Sequence, residues 1–363
     1  MIQALLDSKS AIFSDYEWSV APVHFSPELK NTGEFAVRKV LHLGGLICRV
    51  LFLRWTKRPK ILYYTPAGPT RLAVFRDIIL LCIVRPFFTM TILHFHAGGV
   101  SEVYEQLPVF SRPFYRRAYW NADLGIMVSK HAPDDPTKLH ARATLVIPNG
   151  VQDLAAGRRS VGQHGVARLL FVGLLRESKG VLILIEALRV LASRGVQAHL
   201  QLVGEPDGEA FAGQLRERID QCGLADQVVL SGVLVGEAKA DAYAASDILC
   251  VPTYFESETF GLVAVEAMAF GLPVVATRWR GLVDVVEHEQ SGLLVSPRDP
   301  LELADALARL IKNPDEARQM GSRGRIRYEQ LFTLDRHLEA MRDAFESLAN
   351  PHVSPPRQEK ADS

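Results

Sequence analysis

The sequence predicts an α/β protein made of two Rossmann-like, doubly wound domains facing across a cleft. Three observations carry that expectation. Apolar, β-rich runs alternate with helix-length segments almost throughout the chain. The runs are continuously apolar, as strands of a parallel sheet covered on both faces must be. A polar stretch, "NGVQDLAAGRRSVGQHGVA" (149–167), lacks any apolar repeat and separates two such series. With 363 residues the chain is long enough for two domains of ordinary size. The expected bounds are 1–155 and 156–350, with a disordered tail over 351–363.

The elements follow in order. "MIQALLDS" reads as the end of a helix and "YEWSVAPVHF" as the next strand. "KILYYTPA", "TILHFHAGG", "ADLGIMVS" and "ATLVIPNG" read as the buried strands of the first domain. In the second, "RLLFVGLL", "AHLQLVGE", "QVVLSGVL", "DILCVPT", "PVVATRW" and "SGLLVS" are strands, separated by helices such as "GVLILIEALRVLASRG". No strand followed by a glycine-containing loop opens the first domain. The chain is therefore expected to lack the first strand of its first sheet, an omission that would expose strand edges and apolar side chains.

Charge is balanced overall but not locally. Residues 1–150 hold 18 Lys and Arg against 11 Asp and Glu, hence +7, and the remainder carries −7. Such asymmetry suggests different partners for the two halves. The four cysteines lie far apart with no CxxC pair, which suits reduced thiols in a cytoplasmic protein. The opening residues do not read as a secretory signal. The longest apolar runs are interrupted by Arg49 and by Arg76–Asp77, short of the ~20 residues a spanning helix needs. Residues 38–60 are apolar, flanked by basic residues and free of acids. That pattern fits either a helix lying on an anionic membrane or a buried helix packed on the sheet.

In doubly wound sheets ligands bind beyond the carboxyl ends of the strands. The strand "DILCVPT" leads through the loop "YFESET" into the helix "FGLVAVEAMAFG". Glu258 then precedes the helix, and Glu266 is expected about two turns inside it. The amides of Phe260, Gly261 and Leu262 are donors at a positive helix end, suited to an anion such as a phosphate. A carboxylate on each side would accept hydrogen bonds from sugar or ribose hydroxyls. The alternative is structural: Glu258 caps the helix and Glu266 pairs with an arginine.

The string "ESETFGLVAVEAMAFGLPVVAT", with "AASDILCVPT" before it and "GLVDVVEHEQSGLLVSPRDPLELADAL" after it, resembles the donor-binding half of family 4 glycosyltransferases, which have the GT-B fold. "VIPNGV", "LLFVGLLRESKGV", "LQLVGE" and "VVLSGVL" extend the likeness over about 145–345, and it is looser before that. The resemblance implies an N-terminal acceptor-side domain and a C-terminal nucleotide-sugar-binding domain. It implies retaining transfer of a sugar from a nucleotide diphosphate, UDP being the commonest carrier, with no metal or cofactor and no nucleic acid. Glu258 then meets the transferred sugar and Glu266 the ribose.

Lys179 matches the family's diphosphate-binding lysine, whereas Leu174 stands where an arginine is common. Arg176, two residues on, either reaches the diphosphate or is a solvated surface charge. The loop around Val233 to Val235 would face the base. His96, at the end of "ILHFHAGG", would donate to a hydroxyl of the transferred sugar, unless it is a core or loop histidine. The implied acceptor is a glycan or lipid-linked saccharide in polysaccharide biosynthesis. The implied setting is the cytoplasm, with peripheral contact at the inner membrane face through 38–60. Two rivals are an inactive nucleotide-sugar-binding protein, or truncated gene product, and a sugar-nucleotide epimerase. A nicotinamide oxidoreductase is disfavoured because no GxGxxG follows a strand.

Overall fold

The computed structural model describes residues 17–21, 34–155 and 165–349. The expected opening helix, half of "YEWSVAPVHF" and the tail lie outside these residues. The described part of that strand, Glu17–Ala21, has no regular structure. Two compact units are present. One comprises Met1–Val128, Pro133–Ile147 and Glu339–Ser363, the other Ser129–Ala132 and Pro148–Leu338.

The first unit holds helix α1 (Glu34–Lys57), strand β1 (Ile61–Tyr64), helix α2 (Arg71–Val84), strand β2 (Met90–Phe95), helix α3 (Arg112–Tyr119), strand β3 (Leu124–Met127), the short helix α4 (Asp135–Lys138) and strand β4 (Thr144–Val146). The strands form a parallel sheet in the order β1-β2-β3-β4. All four were legible as apolar runs. Val74, Ile78 and Leu81 of α2 pack with Leu93, Phe95, Tyr115 and Tyr119, all buried. Each such side chain contributes about 1.5–3 kcal/mol on leaving water.

The Arg76–Asp77 pair that interrupts the apolar run of α2 has a structural cause. Asp77 is fully buried, and its carboxylate accepts from the Tyr64 hydroxyl at 2.7 Å, the Tyr119 hydroxyl at 3.2 Å, the Ala67 amide at 2.9 Å and the Arg76 guanidinium at 2.7 Å. Each donor offsets part of the cost of burying the charge. The same surroundings hold both phenols neutral: burial first, then Asp77, pushes the Tyr64 and Tyr119 pKa values up.

The second unit runs from strand β5 (Ala167–Val172) through helix α5 (Val181–Ser193), β6 (Ala198–Val203), α6 (Glu209–Gln221), β7 (Val228–Leu230), α7 (Gly236–Ala244), β8 (Ile248–Val251), α8 (Leu262–Ala269), β9 (Val274–Thr277), α9 (Leu282–Val285) and β10 (Gly292–Val295). Helices α10 (Pro300–Lys312), α11 (Pro314–Leu331) and α12 (Leu334–Ala349) follow, and α12 continues from this unit into the first. The sheet is parallel with the order β10-β9-β8-β5-β6-β7. Strand order reverses at β5, whose neighbours are β6 and β8. Loops leaving β5 and β8 therefore diverge and open a crevice at their carboxyl ends, the usual ligand position in such sheets.

Candidate active site

The two loops bordering that crevice carry Arg176 and Lys179 after β5 and Glu258 after β8. After β5 the chain passes Gly173 and Leu174 and makes a 3-10 turn over Glu177–Lys179. It enters α5 through Gly180, which is left-handed at φ 75°. A Cβ on Gly180 would lie 2.0 Å from the Pro252 carbonyl oxygen, so only glycine permits this approach to the β8 loop. The Tyr254 amide donates to the Ser178 carbonyl at 2.8 Å and closes the same junction.

Lys179 and Glu258 meet across it. Nζ lies 2.5 Å from Oε2, with the lysine side chain 23 % and the carboxylate 14 % exposed. Phe255 lies under both cations of the neighbouring loop, its ring centroid 5.0 Å from Lys179 Nζ and 5.1 Å from Arg176 Cζ. Such contacts contribute about 0.5–1 kcal/mol each where the cation is exposed. Trp279 Nε1 donates to the Phe255 carbonyl at 2.9 Å and steadies the loop from β9.

Arg176 is neither a free surface charge nor beside Glu258. It pairs with Asp207 at 3.0 Å, on the loop after β6, and both are partly exposed. With Glu177, Ser178, Ile183, Phe211, Tyr254 and Arg298 they line a cavity of about 780 Å³. Arg298 stacks over Tyr254, 4.4 Å from its ring centroid.

Helix α8 begins at Leu262, later than the sequence suggested, because Gly261 takes a left-handed φ of 87° as its N-cap. Glu266 therefore stands about one turn inside the helix, and the expected two turns are corrected to one. A Cβ on Gly261 would meet Leu282 Cδ2 at 2.4 Å. Phe260 is buried edge-on against Phe332, so its side chain serves packing, leaving only its backbone for a ligand.

Glu266 does not pair with an arginine. Its Oε1 accepts from Lys239 Nζ at 2.7 Å and its Oε2 from the Tyr243 hydroxyl at 2.6 Å. Both partners lie on α7, the helix that follows the loop carrying Val233 and Val235. Those two side chains are 60 % and 73 % exposed. Tyr243 is buried, stacked on Phe270 at 5.4 Å, and burial together with Glu266 pushes its pKa well up, so it remains a donor. Lys239, Tyr243 and Asp207 were missed from sequence, since no spacing links them to the residues they serve. The one available signal was that α7 starts at the end of the loop assigned to the base.

His96 belongs to the first unit, immediately past β2. Its ring centroid is 4.0 Å from that of His94, which is fully buried and has Nδ1 2.6 Å from the Tyr63 hydroxyl. The alternation that put both histidines on one face is as expected. No cluster of three or more His, Cys, Asp or Glu side chains suited to a metal ion occurs among the described residues.

Comparison with known proteins places this geometry. Residues 158–327 match the family model described as glycosyl transferases group 1. D-inositol 3-phosphate glycosyltransferase of Thermobispora bispora is 34% identical over 243 residues, covering 65% of this chain and 51% of the relative. The chain thus spans about half the length of the curated relatives it matches. Among solved structures, sucrose-phosphate synthase from Thermosynechococcus elongatus has a TM-score of 0.71 at 24% identity, covering 90% of this chain and 82% of that one. Anabaena HepE in complex with UDP-glucose has a TM-score of 0.65 at 23% identity, covering 88% of this chain and 90% of that one. At those identities the likeness shows the fold, which is GT-B. Residues 158–327 of the second unit are thus similar in sequence to the group 1 glycosyl transferases, and both sheets of the GT-B fold are present.

Proposed function

We propose that the protein transfers a glycosyl unit from a nucleotide diphosphate sugar to a hydroxyl of a glycan or lipid-linked saccharide, with retention of configuration. The observation that carries this reading is the pairing of Lys179 with Glu258 at the strand-order reversal, on the loop leading into the helix that carries Glu266 in its second turn. An ammonium group has three donors. One serves Glu258, which leaves two for diphosphate oxygens. Lys239 Nζ lies 2.7 Å from both Glu266 oxygens and Tyr243 also donates to Oε2, so Oε1 keeps a lone pair for a ribose hydroxyl. Anabaena HepE, which shares the fold, is solved in complex with UDP and with UDP-glucose, which supports a uridine donor here.

In the transfer, the bond between the anomeric carbon and the phosphate oxygen breaks as that carbon bonds the acceptor oxygen. The acceptor proton passes to the departing phosphate oxygen on the same face. Lys179 and the first amides of α8 stabilise the charge that grows there. Glu258 holds hydroxyls of the sugar being moved, and the resemblance assigns His96 the same task from the first unit. The likeness to D-inositol 3-phosphate glycosyltransferases favours a second acceptor class, a polyol phosphate.

A donor screen tests the reading. Uridine and guanosine diphosphate sugars are supplied with and without saccharide or inositol phosphate acceptors, and released nucleoside diphosphate is measured. Acceptor-dependent release is expected with at least one donor. Nucleotide binding without release from any of them would favour an inactive binding protein.

A further inference from the structure

Helix α1 is apolar on two opposite sides, where a surface helix ordinarily has one apolar face. On one side Leu43 and Leu46, with Ile47 and Val50, pack on Leu80 and Val84 of α2. On the other, Leu41, Cys48, Phe52 and Trp55 recur at helical spacing along a single stripe. Leu41 is 70 % exposed, Phe52 67 % and Trp55 82 %.

The apolar surface continues beyond α1. Arg54 Nε donates to the Phe87 carbonyl at 2.6 Å, and the guanidinium lies over the Phe88 ring at 5.9 Å. These contacts set the end of α1 beside the exposed Phe87. Helix α2 leaves Leu72, Ile79 and Ile83 exposed on its outer face. Cys82 Sγ donates to the Phe114 carbonyl at 3.2 Å, which brings Val109, Phe110 and Phe114, also exposed, to the far side of α2. Large exposed apolar patches of this kind mark interaction sites.

Its charge is one-sided. Residues 41–60 contain five Lys or Arg and no acid. Arg49, Arg58 and Lys60 are exposed, while Lys57 pairs with Glu17 at 3.4 Å. Helix α3 adds three arginines and no acid, of which Arg112 pairs with Glu105.

We infer that α1, the outer face of α2 and residues 109–114 form a surface that docks on an anionic lipid bilayer. A second copy of the chain would set like charges against each other. An anionic bilayer satisfies both features, since acyl chains accept the aromatic and aliphatic side chains while headgroups attract the cations. Among the described residues no helix is long and apolar enough to cross a membrane, so α1 lies along the interface.

Flotation of the full chain with vesicles tests this independently of turnover, so its outcome is separate from that of the transferase reading. One vesicle is phosphatidylcholine alone, the other equal parts phosphatidylcholine and phosphatidylglycerol. Binding is expected to the anionic vesicle and to weaken as salt rises. The double variant Phe52→Glu/Trp55→Glu should bind about tenfold more weakly or worse. Arg49→Gln/Lys60→Gln, which leaves the apolar stripe intact, should lose about fivefold for each cation removed. Both should melt with the parent, and if the acidic variant does not fold, the Arg49/Lys60 pair decides. Absence of binding by the parent protein would overturn the inference, as would undiminished binding by the folded variants. So would a dimer in solution that Phe52→Glu/Trp55→Glu dissolves, because the surface would then belong to a second copy.

Discussion

Lys179 Nζ and Glu258 Oε2 stand 2.5 Å apart between the two loops at the strand-order reversal, although 79 positions separate the residues. The two loops are already joined by main-chain contacts, so the pair matters more for a ligand than for the fold.

Lys179→Ala should therefore leave the fold intact and lower turnover by roughly 10²–10³, the effect of removing one preformed electrostatic stabiliser. Arg176→Ala should cost far less, because that side chain is held by Asp207 and Phe255. Initial rates of nucleoside diphosphate release would check both. A larger loss for Arg176 than for Lys179 would show that the arginine grips the diphosphate.

Glu266→Ala should weaken nucleotide binding by about 1.5–3 kcal/mol, the scale of hydrogen bonds to a charged group. Tyr243→Phe should cost about 0.5–1.5 kcal/mol, since only one of two bonds orienting the carboxylate is lost. Titration calorimetry with UDP would measure each. Unchanged affinity in Glu266→Ala would remove the ribose role.

Asp77→Ala should destabilise the first unit by about 3–5 kcal/mol, because it leaves the donors around a buried charge without their acceptor. Urea unfolding would report the loss. Nucleotide affinity, which the proposed donor site places on the second unit, should change little in the protein that remains folded.

His337 supplies a pH dependence. Burial pulls its pKa down to about 4 in the folded chain, with its Nδ1 2.7 Å from the Pro148 carbonyl oxygen. The ordinary value is about 6.5. Between those limits the unfolded chain binds a proton that the folded chain does not. Stability should accordingly fall with a slope of up to about 1.4 kcal/mol per unit as the pH drops from about 6.5 toward 4. Thermal melts across that range should show the slope in the parent and a shallower one in His337→Gln.

All ten described strands were legible as apolar runs, most of them well buried, although β7 leaves Val229 and Leu230 exposed. The placement of Glu258, Glu266 and Lys179 after strands that end at the crevice was legible too. What could not be read was which side chain meets which. The Lys239 and Tyr243 bonds to Glu266 depend on how α7 packs beside α8, and no local periodicity encodes that. The start of α8 was misplaced because Gly261 turns left-handed at φ 87°, a conformation open to glycine that the sequence pattern does not announce.

Gly180 against the Pro252 carbonyl, and the Tyr254 amide on Ser178, join the two site loops through main-chain atoms alone. That junction does not depend on side chains of the neighbouring loops, so Val233 and Val235, which precede α7 and are exposed, can be exchanged without moving it. A single methyl group at position 180, by contrast, would wedge the two loops apart and disturb every donor alike.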